Sequence, residues 1–315
     1  MKKKSIVVHS PATVANLVCG FDILGLALNH PFDRIKLSLR DDSLIQIAHK
    51  DGFGLPEDAK QNVIGVALAA LQKAVPGMPG FDVECHKGIM PGSGIGSSAA
   101  SAAGAVAGAN LLLGNIFTGK ELIRFAMEGE YIASGSRHAD NVAPALFGGI
   151  TLIRCTQDLD IIKIPAPELF ITIIHPQIEV KTSDARQILK TRIELKDAIR
   201  QWGNVAGLIA GLMGNDYGLI SRSLHDDIIE PQRSILIPGF KELKEASLHA
   251  GALGGGISGS GPSVFMLSKH LHIAEKVEQR ALAIYQNMGL DVKCHISTIN
   301  LYGVKEEIPS EPAHQ

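Results

Sequence analysis

Residues 91–98 read Pro-Gly-Ser-Gly-Ile-Gly-Ser-Ser and run directly into an alanine-rich stretch at residues 99–104. Glycine at alternate positions allows backbone conformations that residues with a Cβ resist. Ser97 and Ser98 are good N-cap residues, and the alanines behind them favour a helix. A glycine-rich turn that leads into a helix N-terminus binds anions, because unpaired N–H groups and the positive end of the helix dipole converge there. The stretch therefore predicts a phosphate-binding loop.

Neither of two common phosphate loops matches this stretch. A Walker A loop has Gly-Lys-Ser/Thr at the helix start, and no lysine lies near Ser97. A dinucleotide-binding fingerprint has the spacing G-x-G-x-x-G and an acidic residue about 20 positions further on. Here the spacing is G-x-G-x-G, and residues 111–115 are Leu-Leu-Leu-Gly-Asn. On glycine and serine alone, the alternative is a tight loop whose small residues only allow close helix packing.

Length and composition exclude several classes of protein. A chain of 315 residues can form one large domain or two medium ones. A net charge of −2 gives no electrostatic reason to expect a nucleic-acid or membrane partner. The apolar run after the basic residues 2–4 is interrupted too early for a signal peptide. The cysteines are scattered, as is typical of a reduced cytoplasmic protein; they are Cys19, Cys85, Cys155 and Cys294.

Hydrophobic periodicity and turn residues predict the elements along the chain. Predicted hairpins join residues 33–40 to 44–48 and residues 150–154 to 161–164, and further predicted strands are residues 5–9, 81–86, 169–174, 263–267 and 292–299. Predicted helices include residues 62–75, 99–113, 120–134, 196–213 and 271–288. Prolines at 165 and 167 mark a change of region, so we predict lobes of residues 1–165 and 166–315. Because the elements alternate without regular βαβ units, the predicted fold class is α+β with two lobes.

Three stretches taken together resemble the GHMP kinases, the superfamily of galactokinase, homoserine kinase and mevalonate kinase. They are residues 11–22 (Pro-Ala-Thr-Val-Ala-Asn, then Gly-Phe-Asp), the loop at 91–98 with its helix, and residues 257–263 (Ile-Ser-Gly-Ser-Gly-Pro-Ser). The homoserine kinase branch is the most similar, through residues 12–25, 137–144, 182–186 and the Glu-Pro-x-Arg run at 230–233. The resemblance covers nearly the whole chain except its ends.

The resemblance implies both a fold and a reaction. The N-terminal lobe would resemble domain 2 of ribosomal protein S5, and the C-terminal lobe would be ferredoxin-like. The chain would transfer the γ-phosphoryl group of ATP to the side-chain hydroxyl of L-homoserine, a step toward threonine, and it would form a homodimer. The alternatives are another GHMP kinase of the mevalonate or sugar type, and a non-catalytic nucleotide-binding protein.

The resemblance also implies where ATP and Mg²⁺ bind. Ser98 and Glu130 would be the protein ligands of Mg²⁺, which typically takes one or two of them. The alternatives are a simple helix cap for Ser98 and a surface charge for Glu130, with Glu128 as the substitute ligand. The ATP-binding residues would be Pro91, Gly92, Ser93, Gly94, Ile95, Gly96, Ser97, Ser98, Ala99, Ala100 and Ser101.

An amino-acid substrate brings a carboxylate, an ammonium and a hydroxyl, and the resemblance implies partners for each. Arg186 and Arg233 would hold the carboxylate, since guanidinium suits bidentate capture of a planar anion. Asp22 suits the ammonium, with Asn16 beside it. The alternatives are surface salt bridges for the arginines and a braced turn for Asn16 and Asp22. The full predicted substrate site is Asn16, Asp22, His138, Asn141, Thr182, Arg186, Arg233, Gly259 and Ser260.

Asn141 and His138 are the predicted catalytic residues, near the reacting hydroxyl. In the mevalonate kinase and galactokinase relatives, the position matching Asn141 is a catalytic aspartate. An asparagine cannot accept a proton as a base would, and the side chain of the adjacent Asp140 need not face the site. We therefore expect catalysis by positioning and electrostatics, with the substrate proton passing to phosphate or solvent.

Overall fold

A computed structural model describes residues 3–308. The ends of both predicted lobes, residues 1–2 and 309–315, lie outside the described residues. The elements up to residue 164 are β1 (Ser5–Ala15), β2 (Leu24–Leu39), β3 (Ile45–His49), α1 (Val63–Lys73), β4 (Phe81–His86), α2 (Ser97–Leu113), α3 (Gly119–Ser134), α4 (Val142–Phe147), β5 (Ile150–Cys155) and β6 (Asp160–Ile164).

The elements after residue 164 begin with β7 (Phe170–Pro176), α5 (Thr182–Gln187), α6 (Leu195–Gly214), α7 (Tyr217–Ser223) and α8 (Glu230–Arg233). A 3-10 turn at Ser234–Leu236 precedes α9 (Phe240–His249). Then come β8 (Gly254–Ile257), β9 (Val264–Ser268), α10 (Leu271–Asn287), β10 (Val292–Thr298) and β11 (Lys305–Glu306). The predicted helices and strands are present, most of them to within a few residues, but β1 and β2 are longer than predicted and the pairing of β3 differs from prediction.

The first sheet has the strand order β11-β1-β2-β4-β3, and β5 pairs with β2 and β6. The predicted hairpin of residues 33–40 and 44–48 is wrong, because β4 lies between β2 and β3 and pairs with β3 in parallel. The alternating buried residues of β4 match those of β2, as in the pair Ile35 and Cys85, so β3 is left at the edge. The hairpin of residues 150–154 and 161–164 is confirmed by the pairing of β5 with β6.

Strand β1 is longer than predicted and ends in an unusual turn. It pairs with β2 along its whole length, from Ser5 opposite Ser38 to Ala15 opposite Gly25, with an irregularity after Pro11. The next residues, Asn16, Leu17 and Val18, all have positive φ, at 75°, 42° and 66°. Left-handed backbone is strained for a β-branched residue such as Val18. Packing against both sheets stabilises the turn, which carries Asn16 and Asp22 into the site.

Helix α2 crosses the first sheet at close range. Added Cβ atoms at Gly104 and Gly108 would lie 2.6 and 2.5 Å from the side chains of Ile35 and Leu37. The predicted serine caps are wrong. The N-cap residue is Gly96, which has left-handed backbone and no side-chain cap. The reason is that the serine side chains next to it donate to other acceptors.

The second sheet is antiparallel, with the order β10-β7-β9-β8. Together with its helices it follows the β-α-β-β-α-β pattern of ferredoxin-like folds, which confirms that prediction. The two sheets share one hydrophobic cluster, which includes Val14 and Leu26 from the first and Ile171 and Phe265 from the second. β11 returns from the second sheet to pair with β1. The division at residue 165 remains a prediction.

Within residues 3–308, none of the helices combines the length and apolar composition that crossing a membrane requires.

Candidate active site

A cavity of about 340 Å³ lies where the loop at 91–98 meets the second glycine-rich loop at 258–261, the turn after β1, and helices α3 and α5. Its lining is mostly polar or glycine. The lining residues are Asn16, Phe21, Asp22, Leu55, Val63, Lys87, Pro91, Gly92, Gly94, Gly96, Ser97, Ser98, Ser101, Glu130, Ala133, Ser134, His138, Asp140, Asn141, Val180, Thr182, Arg186, Arg233, Gly259, Ser260 and Gly261.

A larger groove of about 810 Å³ lies between α9 and α10, on the far side of the second sheet. It contains none of the predicted site residues, and three of its seven lining residues are alanines. Volume alone does not identify a catalytic site, since polar groups must also converge there. The smaller cavity is therefore the candidate site.

The loop at 91–98 is shaped by its glycines. Gly92, Gly94 and Gly96 all have left-handed backbone, with φ of 74°, 82° and 69°. A Cβ on Gly94 would lie 2.4 Å from the carbonyl oxygen of Gly261, so the two glycine-rich loops can touch here only because Gly94 has no side chain. Ser258 Oγ donates to the Gly94 carbonyl at 2.8 Å and fixes the contact.

The start of α2 leaves its backbone donors free toward the cavity. Among the described residues, the N–H groups of Ser97, Ser98 and Ala99 donate to no backbone acceptor. The first turn of a helix has such unpaired donors, and they favour an anion. Of the residues predicted to bind ATP, seven line the cavity: Pro91, Gly92, Gly94, Gly96, Ser97, Ser98 and Ser101. The side chains of Ser93, Ile95, Ala99 and Ala100 are buried elsewhere.

Ser98 and Glu130 are in direct contact. Ser98 Oγ donates to Glu130 Oε2 at 2.7 Å, so Ser98 is not a helix cap. Burial of Glu130 raises the pKa of its carboxyl to about 7, so it is not a surface charge. Glu128 lies outside the cavity lining and forms an ion pair with Arg137 at 2.8 Å. Hydroxyl and carboxylate oxygens are the ligands that Mg²⁺ prefers, so this pair fits that ion.

A denser metal site is absent from the part of the chain that the structure describes. No group of three or more His, Cys, Asp or Glu side chains there could hold a metal ion. Any cation at Ser98 and Glu130 would therefore take its other ligands from phosphate oxygens and water.

Asp22 and Arg186 form an ion pair across the cavity. Arg186 Nη2 donates to the two carboxylate oxygens of Asp22 at 3.0 and 3.2 Å. The backbone N–H of Asp22 donates to Asn16 Oδ1 at 3.1 Å, and Asn16 Nδ2 donates to the Gly259 carbonyl at 2.9 Å. The turn after β1 is thereby tied to the second glycine-rich loop.

Arg233 is buried, with 3% of its surface exposed, which excludes a surface salt bridge. Its Nε donates to the Ala185 carbonyl at 2.9 Å and its Nη1 to the Gly259 carbonyl at 3.0 Å. The guanidinium groups of Arg233 and Arg186 lie 4.9 and 5.4 Å from the centre of the Phe21 ring. Burial lowers the pKa of Arg233, and the charge of Arg186 adds to this effect. The two cations therefore face the same small volume.

Thr182 and Ser260 join α5 to the second glycine-rich loop. Their hydroxyl oxygens lie 3.3 Å apart, within hydrogen-bonding distance. Thr182 was predicted with the substrate-binding residues, and the structure brings it to the same wall of the cavity as Gly259 and Arg233.

Asn141 and His138 line the cavity beside Asp140. Thr13 Oγ1 donates to Asn141 Oδ1 at 2.7 Å, which leaves the amide N–H₂ of Asn141 as its free donor. His138 Nδ1 lies 3.7 Å from Asp22, and burial lowers the pKa of this histidine. Burial raises the pKa of Asp140 to about 7, and its Oδ1 is buried without a partner. Contrary to the caution drawn from sequence, Asp140 does face the site.

Sequence reasoning missed several residues of the site. Lys87 forms an ion pair with Asp33, and both side chains are almost fully buried. Lys87 Nζ also donates to the Ser97 carbonyl at 2.9 Å and to Ser101 Oγ at 2.8 Å, so it braces the start of α2. Phe21 and Thr13 lay inside the stretches that carried the resemblance. Lys87 had a weaker signal, as a lysine between a strand and the glycine-rich loop.

The fold and the two glycine-rich loops are those of a class of small-molecule kinases. The family model "GHMP kinases N terminal domain" matches residues 62–149, and "GHMP kinases C terminal" matches residues 207–287. Solved structures with 14–15% identity, a mevalonate kinase of L. major and a galactokinase of Lactococcus lactis, share the fold with TM-scores of 0.71 and 0.72.

Proteins with higher sequence identity to this chain identify its family within that class. A homoserine kinase from Chloroherpeton thalassium is 46% identical over 92% of this chain and 96% of its own length. One from Pyrococcus furiosus is 37% identical over 93% of this chain and 97% of its own. The crystal structure of a homoserine kinase from Cytophaga hutchinsonii has 47% identity and a TM-score of 0.93, covering 98% of both chains. The chain belongs to the homoserine kinase family of the GHMP kinases.

Proposed function

We propose that this chain transfers the γ-phosphoryl group of ATP to the side-chain hydroxyl of L-homoserine and forms O-phospho-L-homoserine, a step of threonine biosynthesis. One observation carries the proposal. The free N–H groups at the start of α2 and the charged side chains Asp22, Arg186 and Arg233 line the same cavity. A phosphate donor and a zwitterionic acceptor would thus meet in one place.

Arg186 and Arg233 bind the substrate carboxylate in this proposal, and Asp22 binds the ammonium. The arginines approach from α5 and α8, and they share the face of Phe21. Mevalonate also carries a carboxylate but has no ammonium, so Asp22 favours an amino acid over that alcohol. Asn16, Thr182, Gly259 and Ser260 form the surrounding wall.

The ATP phosphates would lie against the loop at 91–98 and the first turn of α2. Its glycines let the backbone approach the phosphates, and Lys87 stabilises the first turn of α2 by its hydrogen bonds to Ser97 and Ser101. Ser98 and Glu130 would hold Mg²⁺. When bound, the ion neutralises phosphate charge and stabilises the charge that develops during transfer.

Asn141 and His138 orient the reacting hydroxyl. The Asn141 amide, held by Thr13, has a donor free for the hydroxyl or a phosphate oxygen. His138 is neutral near pH 7 because burial lowers its pKa, so it can accept or donate a hydrogen bond without adding charge. Phosphoryl transfer depends mainly on alignment and electrostatics, so a strong base is not required. Asp140 is the alternative proton acceptor.

The proposal is tested by a coupled ADP-release assay with homoserine, mevalonate, galactose and no acceptor. We expect turnover with homoserine and, at most, slow background with the others. A higher rate with mevalonate or galactose would point to another GHMP kinase. Equal rates with and without acceptor would indicate a nucleotide-binding protein without transferase activity.

The Mg²⁺ assignment is tested by Ser98→Ala. We expect a loss of about 10- to 100-fold in kcat/KM for Mg·ATP, by analogy with lost support at metal sites. Ser93→Ala is the matched control, because Ser93 Oγ donates to the Met90 carbonyl and lies outside the cavity lining. An equal effect of both substitutions would contradict the assignment.

We also propose that the chain forms a homodimer, as the resemblance implies. The exposed face of α6 supports this, since Leu195, Ile199, Trp202 and Met213 are each at least half exposed. No charged residue occurs from Gln201 to Asn215, so the part of the face that carries Trp202 and Met213 suits an identical apolar surface better than a charged partner. Analytical sedimentation of the parent protein should give twice the chain mass. The Trp202→Glu substitution should shift the measured mass toward that of the monomer. A monomeric parent protein would contradict the proposal.

A cytoplasmic location also remains a proposal. Cys19 and Cys85 are buried, and desolvation raises the pKa of Cys19, Cys85 and Cys294 to about 12, so these three thiols are unreactive, as fits a reducing compartment. Cell fractionation would test it.

A further inference from the structure

Asp22 and Arg186 pair with each other where two charges of a substrate would bind. We propose that the two residues imitate the substrate for each other. The carboxylate of Asp22 occupies the position on Arg186 that the substrate carboxylate would take. The guanidinium of Arg186 occupies the position on Asp22 that the substrate ammonium would take. The pair is then a selectivity device, because only a ligand with both charges replaces it without leaving one charge unpaired. This inference rests on the proposed function, which assigns these two residues to the ammonium and the carboxylate.

The two residues stand on separate parts of the fold with fixed backbones. Asp22 lies between β1 and β2, has left-handed backbone with φ of 61°, and donates its N–H to Asn16. Arg186 lies in α5, whose Ala185 carbonyl accepts a hydrogen bond from Arg233. Exchange of partners therefore needs only side-chain rotation.

Among the described residues, neither partner has a hydrogen-bonded replacement, because Arg233 acts on Asp22 through its charge while its hydrogen bonds go to the carbonyls of Ala185 and Gly259. About a third of each side chain is exposed, 31% for Asp22 and 39% for Arg186, so an unpaired charge there is partly desolvated. The histidine facing Asp22 is His138, whose pKa is lowered by burial, so it is neutral near pH 7. On the other side, Arg186 shares the Phe21 ring with a second cation, Arg233. Asp140, a further acid of the cavity lining, is buried with a pKa raised to about 7.

The consequences differ between ligands. A zwitterion gives Arg186 a carboxylate and Asp22 an ammonium, so both protein charges remain paired. A carboxylate without an ammonium has to compete with Asp22 for Arg186, and it leaves Asp22 unpaired beside the new anion. An ammonium without a carboxylate leaves Arg186 unpaired beside Arg233. Alcohols that carry one charge therefore bind weakly for two reasons: they lack a contact that homoserine makes, and they leave one charge of the Asp22–Arg186 pair without a partner.

The test measures the Kd of 4-hydroxybutyrate, which is homoserine without its ammonium, by titration calorimetry. We expect Asp22→Asn to bind 4-hydroxybutyrate about 3- to 10-fold more tightly than the parent protein, because Arg186 is no longer occupied. The same substitution should weaken homoserine binding. Unchanged or weaker binding of 4-hydroxybutyrate would overturn the proposal.

A double-mutant cycle separates pairing from simple repulsion between Asp22 and the ligand carboxylate. In an Arg186→Gln background, Asp22→Asn should change the Kd of 4-hydroxybutyrate by less than about 2-fold. An equal gain in both backgrounds would mean repulsion alone and would overturn the pairing. Asp184→Asn is the control for net charge, because Asp184 lies on the same helix, is exposed and is outside the cavity lining. It should leave the Kd unchanged.

The opposite half of the substrate gives an independent test. Arg186→Gln should bind 3-aminopropan-1-ol, which lacks the carboxylate, more tightly than the parent protein; weaker or equal binding would count against the proposal. This arm remains decisive if Asp22→Asn does not fold. If the parent protein phosphorylates homoserine but neither gain is seen, only this inference fails. If homoserine is not phosphorylated at all, the proposed function itself fails.

Discussion

Arg233 shows how one residue can serve both the binding site and the fold. Two of its donors bind the carbonyls of Ala185 and Gly259, so it joins α5 to the second glycine-rich loop. Its three other N–H donors are left for a ligand. Arg186, in contrast, makes its hydrogen bonds to Asp22 alone among the described residues, and it is more exposed.

Arg233→Lys should therefore weaken both stability and homoserine binding. A lysine cannot reach two carbonyls and a carboxylate with fork geometry, so buried acceptors lose their donors. We expect a loss of about 1–3 kcal/mol in unfolding free energy and a higher KM for homoserine. The matched variant Arg186→Lys should raise KM with little change in stability. Urea unfolding and kinetics would check both, and an unaltered stability of Arg233→Lys would contradict the structural role.

Asp140 should make the stability of the unliganded protein depend on pH. Its pKa is raised by burial to about 7, above its value in the unfolded chain. The folded state then binds the proton more tightly, so its contribution to stability is present in acid and is lost as pH rises through 7. Between pH 5 and 8, Asp140→Asn should gain about 2–3 kcal/mol relative to the parent protein. Urea unfolding at both pH values, with exposed Asp41→Asn as control, would measure this; parallel pH profiles would contradict it.

At the scale of elements, the loop at 91–98 and α2 act together. The loop needs left-handed backbone at three positions, but only Gly94 is also pressed against another backbone, at Gly261. Gly92 has open space where a Cβ would go. Sequence reasoning treated the three glycines alike, and the contact between two loops distinguishes them.

Gly92→Ala and Gly94→Ala form a matched pair that tests this distinction. Left-handed backbone costs an alanine about 1–2 kcal/mol at either position. Gly94→Ala must in addition separate the two loops, so we expect at least twice the loss of stability and a larger rise in KM for ATP. Thermal unfolding and ATP kinetics would be compared, and equal effects would show that the loops can move apart freely.

At the scale of the whole molecule, the two sheets depend on each other. Their shared cluster buries Val14 and Leu26 against Ile171 and Phe265, and β11 covers the edge of β1. Glu307, just after β11, accepts a hydrogen bond from Arg34 of β2 at 2.6 Å. A chain cut at the predicted boundary would expose this apolar surface.

Residues 1–165 expressed alone should therefore fail to fold, although they include the whole ATP-binding loop. The full chain should unfold in one cooperative thermal transition, because burial of apolar surface couples the two lobes. Circular dichroism and calorimetry would check both. A soluble fragment with a sharp transition, or two separate transitions in the full chain, would contradict the coupling.

How well the sequence predicts a feature depends on whether the residues that determine it are close together in the chain. Strand β4 and helix α1 were predicted almost to the residue, because their periodicity and flanking turn residues lie within the segment. Strand β3 was predicted as a strand but assigned to the wrong neighbour, since pairing depends on a segment some 35 residues further on. Asp140 and Lys87 were not assigned to the site, because the residues adjacent in sequence do not determine the direction in which a side chain points.

By itself, the sequence determined the features that depend on a few adjacent residues: a left-handed glycine loop leading into an alanine helix, the periodicity of helices and strands, and a supply of charged side chains. The assignment of Ser98 and Glu130 to one Mg²⁺ site came from the resemblance to known kinases. Only the tertiary structure decided that Arg233 is buried, that Asp22 pairs with Arg186 and that both sheets share one core. These contacts join residues far apart in the chain, and their distances are set by packing of the whole molecule.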